Sequence, residues 1–251
     1  MISVGKVSYL NTLPLFYRWD TSKVSLVEGH PSELVKKLRE GHIQAGIVSS
    51  VEFLLHPENY RVVPDISISS KEKACSVLIF SKKPLEFVES LYLTPSSMTS
   101  KLLALYVVKE VYKNSPNIVQ DKDDADALML IGDEAIKEKS SNTWQYVYDL
   151  GKEWFSLYGL PFVFALFLVR RDAPELLDSL IEEQCKRSKE EFFQDLKKGR
   201  LELQGYDYNR LKDYFTSCLD YGLDRKAWKS LEIFKEILTR ELIIINREVL
   251  G

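Results

Sequence analysis

The first 81 residues alternate strand-like and helix-like segments, and the alternation starts again after a polar break at Lys82-Lys83-Pro84. This repeated rhythm constrains the fold more than any other feature of the chain. Short apolar runs at Val4–Leu10, Val24–Val27, Ala45–Val48, Arg61–Ile68 and Ser76–Phe80 read as strands. Between them, Pro31–Arg39 reads as a helix because Leu34, Val35 and Leu38 share one face and Gly41 stops it. Ser49-Ser50 leads into a short helix at Val51–Leu55. Beyond the break the spacing predicts strand Ser90–Leu93, a long helix Ser100–Tyr112 and strand Ala127–Ile131. Gly132-Asp133-Glu134-Ala135 then turns into another helix, with Asp133 as its cap or as a ligand contact. The aromatic-rich Trp154–Phe167 segment delivers a strand at Phe162–Val169. From Asp172 onward only helices are expected: Pro174 to about Leu196, one around Tyr208–Tyr221, and one around Arg225–Ile244.

Strand-helix-strand units of this kind imply an α/β protein with mostly parallel sheets flanked by helices. An α/β unit, a break, a second unit and a helical tail suggest two lobes joined by two crossing strands. Residues 1–81 with 168–251 form the first expected lobe, which includes the helical C-terminal tail. Residues 82–167 form the second, with hinge strands near 76–81 and 162–169 and a ligand cleft between the lobes. One continuous doubly wound domain is the alternative. The length of 251 residues and the 45% apolar content allow a sizeable core in either case.

A net charge of −3 gives no electrostatic footprint for nucleic acid or an anionic membrane. Cys75, Cys185 and Cys218 lie far apart with no C-x-x-C spacing, which fits reduced thiols better than a disulfide frame. The chain opens without a secretory signal, and its longest apolar run, Leu157–Val169, is broken by Gly159 and Pro161. A cytoplasmic protein with no membrane partner, monomeric or homodimeric, is expected. His30, His42 and His56 show no metal-ligand spacing, so no metal site is expected. Phosphate-cradling glycine motifs and the G-x-S-x-G elbow are absent too.

What remains for chemistry is a set of hydroxyl and amide residues at strand ends and helix starts. The opening stretch Val7-Ser8-Tyr9-Leu10-Asn11-Thr12-Leu13-Pro14-Leu15 runs from strand to helix through Ser8, Tyr9, Asn11 and Thr12. Ser49, Ser50, Ser76, Thr94, Ser96, Ser97, Thr99 and Ser100 occupy similar positions further on. Each alone reads as a helix cap. Several helix N-termini facing one cleft would instead form a receptor for carboxylates. Phe162, after the Gly159-Leu160-Pro161 turn, is either core or cleft wall.

The opening motif resembles that of chorismate dehydratase, an enzyme family of the futalosine route to menaquinone. Further segments agree in order: Ala45-Gly46-Ile47-Val48-Ser49-Ser50, Ser76-Val77-Leu78-Ile79, Thr99-Ser100-Lys101-Leu102, Ile131-Gly132-Asp133-Glu134 and Gly159-Leu160-Pro161-Phe162-Val163-Phe164-Ala165. One departure is Thr94-Pro95-Ser96-Ser97, where a more acidic residue is expected before the Thr-Ser pair. The resemblance implies a type II periplasmic-binding-protein-like fold. It also implies dehydration of the dicarboxylate chorismate to 3-[(1-carboxyvinyl)oxy]benzoate with no cofactor. Asn11 and Ser76 would then be the catalytic pair. Ser8, Tyr9, Thr12, Ser49, Ser50, Ser97, Thr99, Ser100 and Phe162 are the candidate substrate contacts. A related naphthoate synthase of the same pathway opens with a Cys-Pro-Asn-Asp type motif and uses a histidine. Here Tyr9-Leu10-Asn11-Thr12 stands in that place, with no histidine near it in sequence. That synthase and a non-catalytic carboxylate-binding protein are the alternative functions.

Overall fold

The computed structural model describes residues 2–245, Glu202 and Gln204 excepted, so the last six residues of the expected first lobe lie outside the described residues. Eleven strands among the described residues form two sheets. They are β1 (Ile2–Val7), β2 (Val24–Gly29), β3 (Ala45–Ser49), β4 (Tyr60–Ser70), β5 (Val77–Ser81), β6 (Ser90–Leu93), β7 (Asn117–Val119), β8 (Ala127–Ile131), β9 (Tyr146–Asp149), β10 (Val163–Arg170) and β11 (Leu219–Asp220). The first sheet has the order β11-β4-β10-β3-β1-β2 and the second β7-β6-β8-β5-β9. The chain passes from the first sheet to the second between Ser70 and Val77 and returns between Tyr158 and Val163. No helix among the described residues is long and apolar enough to cross a membrane.

Each sheet is mixed, where mostly parallel sheets were expected. The helix-linked strands are parallel, β1 to β2 and β3, and β6 to β7 and β8. The strands next to the passages run the other way. β10 inserts antiparallel between β3 and β4, and β5 antiparallel between β8 and β9. A strand arriving from the other sheet needs no crossover helix, so the parallel constraint does not apply to it. Both faces of these central strands are covered, and β3, β5 and β8 are buried at every residue. That accounts for their continuous apolar runs.

The N-terminal strand ends at Val7 and not at Leu10; Leu10–Thr12 forms one 3-10 turn into the helix Leu13–Phe16. Thr12 makes this turn: its hydroxyl is shared between the Val7 carbonyl at 2.7 Å and the Tyr9 carbonyl at 2.9 Å. The C-terminal tail is less regular than the all-helical reading. After helix Leu176–Lys197 come the helix Tyr208–Asp213, a π-helical turn Tyr214–Cys218, and β11, which pairs with Ser69 and Ser70 at the edge of the first sheet. A two-residue strand is too short to leave a periodic signal. Helix Arg225–Ile245 then packs across the return passage. Its Phe234 and Ser230 meet Trp154, with Phe234 also against Phe162, and the Trp154 indole donates to Ser230 Oγ at 2.9 Å.

The cysteines correct the thiol expectation. Cys75 and Cys218, 143 residues apart, are joined in a disulfide, and Cys185 is a free buried thiol whose pKa is raised by burial. The pairing is invisible in the spacing because it is made by topology: β11 lies beside the end of β4, which brings the π-helical turn to the Ser70–Val77 passage. Closing so long a loop should stabilise the fold by about 2–4 kcal/mol. Cys218→Ser should therefore lower the urea midpoint by a corresponding amount. Dithiol reductant should shift the unsubstituted protein similarly and leave the variant unmoved.

Candidate active site

A cavity of about 50 Å³ lies where the two sheets meet. From the first sheet's side it is lined by Val7, Tyr9, Asn11, Thr12, Ile47, Val48, Ser49, Ile68, Phe164 and Ala165. The passage and the second sheet add Ala74, Ser76, Val77, Ile131 and Gly132, and Ser97 and Ser100 come from the start of helix Met98–Glu110. The fold thus brings together seven sequence candidates: Tyr9, Asn11, Thr12, Ser49, Ser76, Ser97 and Ser100.

Four candidates lie elsewhere. Ser8 is exposed, with its backbone N–H bonded to the Gly29 carbonyl. Ser50 is fully buried and donates to the Val163 carbonyl at 2.8 Å. Thr99 accepts the Val51 N–H at 3.1 Å, so it joins the two halves behind the cavity. Phe162 sits at 1% exposure among Trp154, Phe164 and Phe234, which makes it core; its neighbour Phe164 reaches the cavity.

Within the cavity the polar groups form two sets. Ser49, Ser97 and Ser100 are all nearly buried, with Ser97 Oγ 3.4 Å from Ser49 Oγ and 3.2 Å from Ser100 Oγ. Ser97 also caps its helix by accepting the Ser100 N–H. The second set is Asn11 and Ser76. Asn11 Oδ1 is enclosed yet has no hydrogen-bond partner, while the Asn11 backbone carbonyl accepts the Tyr221 hydroxyl at 2.8 Å. Ser76 Oγ is 2.8 Å from the Tyr214 hydroxyl, and the Ser76 carbonyl accepts the Gly132 N–H at 2.7 Å. A buried amide oxygen without a protein partner is uncommon, and this one belongs to a residue that lines the cavity. The lining carries no Lys or Arg, so the site offers dipoles and hydroxyls rather than fixed cations. Among the described residues no three His, Cys, Asp or Glu side chains converge as metal ligands.

Tyr214 and Tyr221 escaped the sequence reading. Nothing local marks them, since each acts on a residue more than 130 positions away. The histidine reading also changes in space. β1 pairs with β2 so that Val7 lies opposite Gly29, which carries His30 Nδ1 to 3.3 Å from the Tyr9 hydroxyl. Burial raises the Tyr9 pKa, and that hydroxyl keeps its proton at neutral pH.

Asp133 does not cap its own helix. Its Oδ1 accepts the Leu10 N–H at 3.0 Å and so ties the second half of the molecule to the opening turn. Gly132 makes that contact possible: its φ of 60° suits glycine, and a Cβ there would stand 3.0 Å from the Tyr9 ring. Burial raises the Asp133 carboxyl above its ordinary value, partly offset by the Leu10 N–H. The native state therefore holds this proton more tightly than the unfolded chain, and the Asp133 contribution to stability falls as pH rises between the two pKa values. Asp133→Asn, which keeps an acceptor for Leu10, should flatten this part of the pH–stability curve. Asp133→Ala should cost about 1–3 kcal/mol in urea unfolding by orphaning the Leu10 N–H.

Two α/β sheets meeting at a cavity, with a helical tail, form a periplasmic-binding-protein-like fold. Among solved structures the chain resembles protein AF1704 from Archaeoglobus fulgidus, with a TM-score of 0.72 at 16% identity over 96% of this chain and 98% of that one. It also resembles the periplasmic aliphatic sulphonate binding protein SsuA from Escherichia coli, with a TM-score of 0.58 at 12% identity over 96% and 87%. The chain belongs to the menaquinone biosynthesis family, whose sequence profile matches residues 2–240. Chorismate dehydratase from Campylobacter jejuni is 28% identical to it over 98% of this chain and 95% of that protein. Chorismate dehydratase from Thermus thermophilus is 28% identical over 68% and 70%.

Proposed function

We propose that this chain is a chorismate dehydratase, converting chorismate to 3-[(1-carboxyvinyl)oxy]benzoate without a cofactor. The observation that carries the reading is that an unpartnered Asn11 Oδ1 and the Ser76 hydroxyl line the same cavity. The Chorismate dehydratase relatives support it.

In the reaction the C3–H bond breaks and its electron pair becomes the C3–C4 double bond. The C4–O bond breaks and the ring becomes aromatic. The hydroxide takes up a proton and leaves as water. An amide is too weak a base to remove a carbon-bound proton unaided, so Asn11 orients the substrate and stabilises developing charge as a preorganised dipole. The proton passes to the substrate's own enolpyruvyl carboxylate or to a water. Ser76 donates a hydrogen bond to the departing hydroxyl or to a carboxylate. Tyr9, Ser49, Ser97 and Ser100 supply polar contacts for the carboxylates, with the start of helix Met98–Glu110 adding its partial positive charge.

In this reading each sheet with its helices is one lobe, and the hinges are the passages between Ser70 and Val77 and between Tyr158 and Val163, just ahead of the expected 76–81 and 162–169, because β5 already belongs to the second sheet and β10 to the first. The cavity of about 50 Å³ is well below the roughly 300–1,000 Å³ of pockets that take small molecules, so substrate reaches it by parting of the lobes. Reclosure excludes water around the reacting ring.

Incubating the purified protein with chorismate should produce the enolpyruvyl benzoate, detected by mass spectrometry without added cofactor. Asn11→Ala should slow turnover by at least about 100-fold with an unchanged unfolding midpoint. Chorismate bound tightly but recovered intact would instead support a carboxylate-binding protein, and near-native turnover by Asn11→Ala would remove Asn11 from the mechanism.

A further inference from the structure

We infer that Tyr214, in the C-terminal tail, is a positioning residue that turns the Ser76 hydroxyl into a hydrogen-bond donor facing the cavity; this rests on the assignment of Ser76 to the site. Tyr214 does not line the cavity, so it acts through Ser76 and not on a substrate.

The argument is one of donor accounting. Tyr214 is 6% exposed, and among the described residues its hydroxyl has one hydrogen-bond partner, Ser76 Oγ at 2.8 Å. A buried tyrosine hydroxyl has one proton to place and finds an acceptor for it. Burial also raises the Tyr214 pKa, which keeps that proton in place. Tyr214 therefore donates and Ser76 Oγ accepts. The serine's own proton is left with the Ala74 carbonyl, a long contact at 3.5 Å, or with a group in the cavity. A free serine rotor could present a lone pair or a proton to the cavity. Here the rotor is biased so that the proton is presented, which is what a leaving hydroxyl or a carboxylate needs.

The backbone around Ser76 is fixed in the same direction. Asp149 accepts the Ala74 N–H at 2.8 Å and the Cys75 N–H at 2.7 Å, and Gly132 donates to the Ser76 carbonyl. Two ties come from the tail. Cys218 bonds covalently to Cys75, and Tyr214, one turn earlier in the π-helical turn, bonds to Ser76. Consecutive residues of the passage are thus held by residues one turn apart in the tail. A widened turn of this type recurs at functional sites, where it re-aims a side chain that an α-helical turn would send elsewhere.

The test is a double-mutant cycle with the full chain: unsubstituted protein, Tyr214→Phe, Ser76→Ala and both together. Tyr214→Phe keeps the buried ring and should lower kcat for chorismate roughly 10- to 100-fold with KM nearly unchanged. In the Ser76→Ala background the same change should cost less than about 2-fold, because the hydroxyl it serves is gone. An equal loss in both backgrounds, or native turnover by Tyr214→Phe, overturns the inference. The four proteins are also compared in urea unfolding, which requires no substrate. An unsubstituted chain inert towards chorismate sinks the proposed function alone. The Tyr214–Ser76 pairing is then upheld if the two substitutions are non-additive in unfolding and overturned if they add.

Discussion

The rest of the structure depends on the insertion of β10 between β3 and β4. Without it each of those strands would expose a row of unpaired backbone groups, and the first sheet would split into two pieces. Its apolar side chains Val163, Leu166, Phe167, Leu168 and Val169 are almost wholly buried, so hydrophobic burial and backbone pairing act together along one segment. The same strand begins at the return passage and places Phe164 and Ala165 in the cavity wall. The architecture and the site share this one element.

Much of the fold was legible because central strands and amphipathic helices write their burial into the chain. Ala45–Val48 and Ala127–Ile131 could be read as short unbroken apolar runs, and the Pro31–Arg39 helix from its periodicity. Strand direction was not legible. Periodicity reports which residues are buried and is silent on whether a neighbour runs parallel, so the antiparallel entry of β5 and β10 was missed. The 3-10 turn at Leu10–Thr12 was also missed, because Thr12 secures it with a side-chain hydrogen bond that has no periodic trace.

The site divides along the same line. Residues at strand ends within the α/β units, such as Tyr9, Asn11, Ser49 and Ser97, announce themselves by placing polar groups where an apolar strand stops. Contributions from the tail do not. Tyr214, Cys218 and Tyr221 fall in a stretch that resembles any amphipathic helical surface, and their relation to Ser76, Cys75 and Asn11 exists only after the first sheet has acquired its last edge strand. The same rule explains Phe162 and Phe164. Both lie on the aromatic stretch around the start of the return strand, and the packing of Phe162 on Trp154 and Phe234 withdraws it from the cavity while Phe164 reaches it.

The aromatic cluster of Trp154, Phe162, Phe164 and Phe234 has a mechanical meaning. Its rings meet edge to face, the geometry that aromatic quadrupoles prefer, so they hold one another in orientation as well as by burial. The return passage is seated in rings and is hydrogen-bonded as well, Trp154 to Ser230 and the Phe162 backbone to Ser70, while Leu10–Asp133 and Val51–Thr99 tie the two halves elsewhere. The passage is therefore an anchor held by rings and hydrogen bonds at once, so a change in one ring, such as Phe234, would also loosen the Trp154–Ser230 bond beside it.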